Sequence, residues 1–200
     1  KDSKPAKGKA SGDSKSGASG KPAAGYANNF ANWEPVPAPE EGPLMLAPTK
    51  VLSIFDVRSV PKPIDEFLPR CKDGIQDAVR LTLMKYLGPD GEFPYSPDPK
   101  GRVSLKNGET YYVLVYGRRR TRAALKLGFP ELKAELKTYK SWAQMIDEAY
   151  NENDAREDMS PWDRAVHAKN KKDAGHLQDA IAEAMGMSPG AVSQYLGVFD

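Results

Sequence analysis

The stretch YYVLVYGRRRTRAALKLG, Tyr111 to Gly128, decides the reading of the fold. An apolar, β-branched run ends in one glycine. Three arginines follow, then an alanine- and leucine-rich helical pattern closed by Gly128, with Pro130 beyond it. A strand that turns through glycine into a helix N-terminus is a place for anions. Unpaired backbone N–H groups point outward there, and the helix dipole adds partial positive charge. Glycine lets a phosphate approach the backbone, and arginine offers it bidentate donors. Arginines at a helix N-terminus are locally unfavourable without an anion, and that conflict flags function. Nucleotide phosphate and DNA phosphate both satisfy this argument. The plainer alternative is surface arginines paired with Asp and Glu.

Composition bounds the partners. The formal charge is +2, but Lys1, Lys4, Lys7, Lys9, Lys15 and Lys21 against Asp2 and Asp13 give residues 1–25 a net +4, leaving about −2 elsewhere. Any anion site on the folded part must therefore be local. Residues 1–25 are built almost wholly of Gly, Ser, Ala, Lys and Pro, a composition expected to be a disordered basic tail. One cysteine, Cys71, excludes an internal disulfide framework and a Cys-based zinc site, and suits a reducing cytosolic compartment. No run approaches the length of a membrane span and no signal peptide is evident. The chain opens on lysine rather than methionine, as a fragment does.

Trp33–Pro43 (WEPVPAPEEGP) reads as an extended acidic connector, and Leu44–Ile54 as the first strand-like material. Ile75–Leu87 has apolar residues at 75, 79, 83 and 87, the spacing of an amphipathic helix. GPDGEFPYSPDPKG, from Gly88, is turn-rich. Arg102–Gly117 reads as a hairpin around Asn107-Gly108. Leu132–Tyr139 is helical by propensity but alternating by pattern. Two helices follow, with Ser141 and Ser160 as N-caps; the second has Pro161 in its first turn, Asp163 three residues from its cap, and Gly175 at its end.

The last segment contains two short helices joined at Gly186-Met187-Ser188. Ala182 is small enough for a close helix crossing, Gly186 suits a tight turn, and Val192 pins the second helix on the first. This is helix-turn-helix spacing; an ordinary helical hairpin is the alternative. In the DNA-reading version Ser188, Gly190, Ser193 and Gln194 face the major groove, and Gln pairs with adenine edges. The recognition helix is uncharged, so Lys169, Lys171 and Lys172 on the preceding helix are candidates for phosphate contacts, or else a solvated helix end. A polar cluster at Asn151–Asp158 (NENDARED) places carboxylates and amides beside an arginine. That set suits a Mg²⁺ bridging phosphates, though acidic helix connectors are commonplace.

Taken in order, these elements resemble the ParB family of chromosome and plasmid partition proteins over about residues 105–200. The carrying motifs are Gly117-Arg118-Arg119-Arg120-Thr121-Arg122-Ala123, then Glu152-Asn153-Asp154-Ala155-Arg156 running to Ala165, then Gly175–Leu196 with Gln178, Ala182, Gly186, Ser188, Val192, Ser193 and Leu196 in register. The resemblance implies an α+β ParB/sulfiredoxin-like domain at residues 44–158 and an all-α helix-turn-helix DNA-binding domain at 159–200, after the disordered basic and Pro-rich tail that composition assigns to 1–43. It implies a CTP site with Mg²⁺, in which Gly117, Arg119 and Arg120 hold phosphate and Arg118, Arg122 and Arg156 belong to the same site. Glu152 and Asn153 would act at the metal and the γ-phosphate, with Glu152 serving slow CTP hydrolysis. It further implies a homodimeric clamp on double-stranded DNA, loaded at a palindromic site, a ParA-type ATPase recruited by the tail, and a cytoplasmic place on nucleoid or plasmid. On this reading Gly117→Ser abolishes nucleotide binding by obstructing the phosphate.

This chain departs from the family at Arg118, where the family has Glu, and at Ala155, where it has Gln; the segments that hold the base cannot be placed, PKPIDEFLPR and EFPYSPDP occupying roughly their positions, and the family's C-terminal dimerisation domain is absent from the sequence up to Asp200. A nucleotide-independent DNA-binding repressor or adaptor is the rival function. Sulfiredoxin chemistry needs a cysteine in the turn, and Tyr116–Arg122 has none. A free-serine kinase would lack the last two helices, and a nuclease would need a two-metal carboxylate cluster that the chain does not offer.

Overall fold

The central strand of the sheet is β4, Val79–Tyr86, in a computed structural model that describes residues 30–55, 63–94, 102–154 and 159–199. On one side β4 pairs antiparallel with β7, Thr110–Tyr116. On its other side two strands share it: β8, Leu132–Leu136, runs parallel to its first half, and β1, Trp33–Val36, antiparallel to its second. The edges are β2, Gly42–Leu46, antiparallel on β8, and β3, Val51–Leu52, parallel to β7.

The helix expected over Ile75–Leu87 is therefore a strand, with non-regular chain before it. Its residues Val79, Leu81, Thr82, Met84 and Tyr86 are all buried. A central strand covered on both faces loses its simple alternation. The apolar spacing of 75, 79, 83 and 87 then mimics a helix by coincidence. The expected hairpin at Asn107-Gly108 is also corrected. The turn is present, but β6, Arg102–Leu105, pairs with β5, Gly91–Pro94, in a separate two-stranded sheet, while β7 returns to β4. Asn107 ties the turn down by donating from its side-chain amide to the carbonyls of Leu87 (2.8 Å) and Gly88 (3.0 Å). At Leu132–Leu136 alternation overrides helical propensity, because each apolar residue is buried and each Lys or Glu between them exposed.

The connector also folds in. Trp33 begins β1 and is buried against Tyr86, with ring centroids 4.9 Å apart. The sheet thus takes in residues assigned above to the 1–43 tail. Residues 1–29, which carry the rest of that expectation, lie outside the described residues.

Helix α1, Arg118–Leu127, covers the face of Leu114, where Val79, Leu81, Leu132 and Ala134 pack with its Ala124. The opposite face, that of Val115, is covered by α2, Trp142–Asp154, through Met145, Ile146, Ala149 and Tyr150. Burying side chains of this size stabilises the fold by about 1.5–3 kcal/mol each before entropy is counted. Three helices complete the chain: α3, Pro161–Asp173, α4, Gln178–Ala184, and α5, Pro189–Leu196. The Ser160 hydroxyl caps α3 by accepting from the Asp163 N–H (3.1 Å), and Ser141 accepts from Gln144 (3.3 Å) at the start of α2. Ala182, Val192, Ile181 and Leu196 close on Ala168 of α3 in one buried cluster, and Gly186 turns between α4 and α5 at φ +61. No helix among the described residues is long and apolar enough to cross a membrane.

Candidate functional site

The arginine turn stands at one end of the sheet. β7 ends at Tyr116, Gly117 follows at φ +102 as the N-cap of α1, and the first turn of α1 is Arg118, Arg119 and Arg120. No side chain caps this helix and no acidic residue lies in its first turn. Thr121 starts the helical ladder by donating its N–H to Gly117 O (3.1 Å). Beside the turn lie the start of β4, at Ala78 and Val79, and the C-terminal end of α2 at Glu152.

The three arginines have different surroundings. Arg120 is buried; its guanidinium donates to the Ala78 carbonyl and, from Nη2, to Glu152 Oε1 at 3.5 Å. Two residues singled out from separate motifs are thus brought together. The Arg119 guanidinium lies over the Phe67 ring, 4.6 Å from its centroid, and among the described residues its buried Nε has no hydrogen-bond partner. Arg118 is half-buried. Arg122 is half-buried one turn on, near Asp65, whose carboxyl is held below the usual range first by its hydrogen bond from Lys126 (2.5 Å) and to a lesser degree by Arg122. Arg156 and the side chain of Asn153 lie outside the described residues.

Gly117 carries a constraint that the sequence reading did not contain. A Cβ at this position would sit 2.7 Å from Val79 Cγ1, 2.9 Å from Val79 Cβ and 3.2 Å from Val79 Cα. The glycine is required by the approach of β4 as much as by any phosphate. Gly117→Ser is therefore corrected as a test of phosphate approach, because it disturbs the fold first.

The DNA-reading candidates are divided. Ser188, Gly190, Ser193 and Gln194 are all exposed along the start and middle of α5. The Ser188 oxygen also caps α5 by accepting from Ala191 N–H (3.2 Å). Lys172 is exposed. Lys171 is not available as a phosphate contact: its side chain is only 5% exposed and its ammonium is bonded to Asp147 of α2. Lys169 is paired with Asp173 on its own helix at 2.5 Å. The spacing of Lys169, Lys171 and Lys172 carried no sign of this, since an exposed and a buried lysine read alike in sequence.

The joint between α2 and α3 is a polar cluster that sequence reasoning missed. His167 is buried and stacked on Tyr150, with ring centroids 3.5 Å apart and planes 8° from parallel. Asn170 donates to Tyr150 Oη (2.8 Å), and Asp147 also lies 3.5 Å from His176. Burial, then the charges of Lys171 and His176, push the His167 pKa down to about 3. A second network joins Arg80 to Glu135 (3.1 Å) and Glu148 (3.3 Å), with Lys137 on Glu148 (2.5 Å). Its charges balance, and it fastens β4 and β8 to α2.

A triphosphate fits the arginine turn on three observations: the uncapped helix start, the acid-free first turn, and the unpartnered Arg119 Nε. For a metal, the described residues hold no group of three or more His, Cys, Asp or Glu. Glu152 stands at the turn, on Arg120, which suits a Mg²⁺ carried by phosphate oxygens rather than a protein-built cage.

No protein-family model matches the chain, and no curated protein matches it. Among solved structures, it is similar to the C-terminally truncated chromosome-partitioning protein ParB from Caulobacter crescentus complexed with CTP-γ-S, at 20% identity, covering 78% of this chain and 77% of that one, with a TM-score of 0.38.

Proposed function

We propose that the chain is a ParB-like partition protein: a CTP-dependent DNA clamp whose arginine turn takes the nucleotide and whose last two helices read a palindromic site. The observation that supports it most is the meeting of Arg120 with Glu152. It joins the glycine–arginine turn to the acidic motif around one helix N-terminus. In this reading the α1 backbone N–H groups with Gly117, Arg119 and Arg120 bind the triphosphate, and Arg118, Arg122 and Arg156 add positive charge around it. Glu152 and Asn153 hold Mg²⁺, which when bound neutralises phosphate charge and supports slow hydrolysis. Two protomers act on one site, and the tail recruits a ParA-type ATPase.

Arg119 is the residue to test, because its guanidinium is not tied to a carboxylate among the described residues. Calorimetry with the four nucleoside triphosphates and Mg²⁺ is expected to show CTP binding preferentially, and Arg119→Ala to weaken it at least about tenfold, as loss of a charge-assisted donor does. Equal affinity in both proteins removes phosphate from this turn.

For DNA, Gln194→Ala is expected to cost about 1–3 kcal/mol at one base position and relax specificity there. Binding should need two half-sites about one helical turn apart, because an uncharged recognition helix supplies little phosphate affinity. If the variant weakens specific and random DNA by the same factor, Gln194 does not read a base.

One observation favours the rival reading. Arg120 is already satisfied by Ala78 and Glu152 within the chain, as a purely structural arginine would be. A nucleotide-independent DNA-binding repressor or adaptor would leave all four calorimetric titrations flat while DNA still binds.

A further inference from the structure

We propose that Glu152 is an internal competitor for the anion position on Arg120, so that a bare polyphosphate is held off and a metal-borne one admitted. This rests on the anion-binding reading of the arginine turn and assigns that site its control.

The geometry supplies the argument. Arg120 cannot swing outward freely, because its side chain is 10% exposed and its guanidinium is anchored on the Ala78 carbonyl. What it can offer an incoming anion is Nη2, and Glu152 Oε1 stands on Nη2. The contact is 3.5 Å long, beyond the ~2.7–2.9 Å of a strong charge-assisted pair, so an anion held more closely on Nη2 would compete with it. Glu152 is 22% exposed and Arg120 10%, so the carboxylate is the more solvent-accessible member of the pair. A phosphate arriving alone meets a fixed negative charge on the cation it needs. In a site this sheltered from water that repulsion is screened far less than at an open surface. A divalent cation changes the sign, since the same carboxylate becomes a ligand once a metal sits between it and the phosphates. No proton or bond changes hands; one ion pair is exchanged for two.

The test is a pair of affinities with opposite expected signs. With EDTA present, inorganic tripolyphosphate should bind Glu152→Gln about tenfold tighter than the unsubstituted chain, because Gln keeps the size and removes the charge. With Mg²⁺, CTP should bind Glu152→Gln more weakly than the unsubstituted chain. Thermal melting of both proteins checks that the fold is kept, and Glu152→Asp, which restores charge on a shorter arm, should return the tripolyphosphate affinity toward the original. Equal tripolyphosphate affinity in the unsubstituted and Gln proteins overturns the competitor role while leaving the anion site standing. If neither protein binds tripolyphosphate or CTP with Mg²⁺, the anion site itself falls, and the competitor with it.

Discussion

Gly117→Ala is expected to destabilise the protein by about 2–5 kcal/mol, a large share of the stability of an ordinary domain. Two costs add. The native φ of +102 lies where L-residues with a Cβ are strained, a cost of about 1–2 kcal/mol. The new Cβ would also lie 2.7 to 3.2 Å from Val79 atoms that include its Cα. Because Val79 is fully buried in the central strand, neither partner can retreat cheaply, and overpacking of this kind costs about 1–3 kcal/mol. Urea unfolding would show a lower midpoint with the slope unchanged. A midpoint within experimental error of the unsubstituted protein would mean that β4 and the turn are not in contact. Any loss of ligand binding in this variant must be read after its fold has been checked.

Acid should loosen the α2–α3 joint. His167 titrates near 6.5 in an unfolded chain and near 3 in the folded one. Between those values the unfolded state binds the additional proton, so stability falls as pH drops through the window and levels off below it. The expected slope is about 1.4 kcal/mol per pH unit from this residue alone. The downward-shifted carboxyls of Glu41 and Asp65 also lose stabilisation in acid, so it is substitution of His167, rather than the choice of pH range, that isolates the imidazole. His167→Phe keeps a ring on Tyr150 and removes two buried nitrogens that have no hydrogen-bond partner among the described residues. It should gain about 2 kcal/mol over the unsubstituted protein at pH 5 and flatten this limb. Parallel pH curves for the two proteins would show that His167 is not the group responsible.

Legibility in the sequence followed the range of the forces involved. The caps at Ser141 and Ser160, the α4–α5 turn at Gly186 and the strand-to-helix passage at Gly117 are local, and each stands where the sequence places it. β4 misled because its environment is non-local: three strands and two helices bury it, and no nearby residue announces them. β1 was hidden in the same way, since Pro35 and Pro37 suggest a linker until Trp33 finds Tyr86 across the sheet. At the candidate site Arg120 and Glu152 were legible as residues, but their contact was not, because it depends on the path of α2. Lys171 was misread because its partner, Asp147, lies on another helix.

The placement of β1 separates two ends of the molecule. Trp33 pairs with Tyr86, the last residue of β4, and its carbonyl accepts from Trp142 Nε1 (3.2 Å) at the start of α2. The arginine turn adjoins Val79, the first residue of β4. At about 3.3 Å per residue the strand spans roughly 23 Å between them. Phe30, where the described residues begin, thus stands toward the far end of β4 from the arginines.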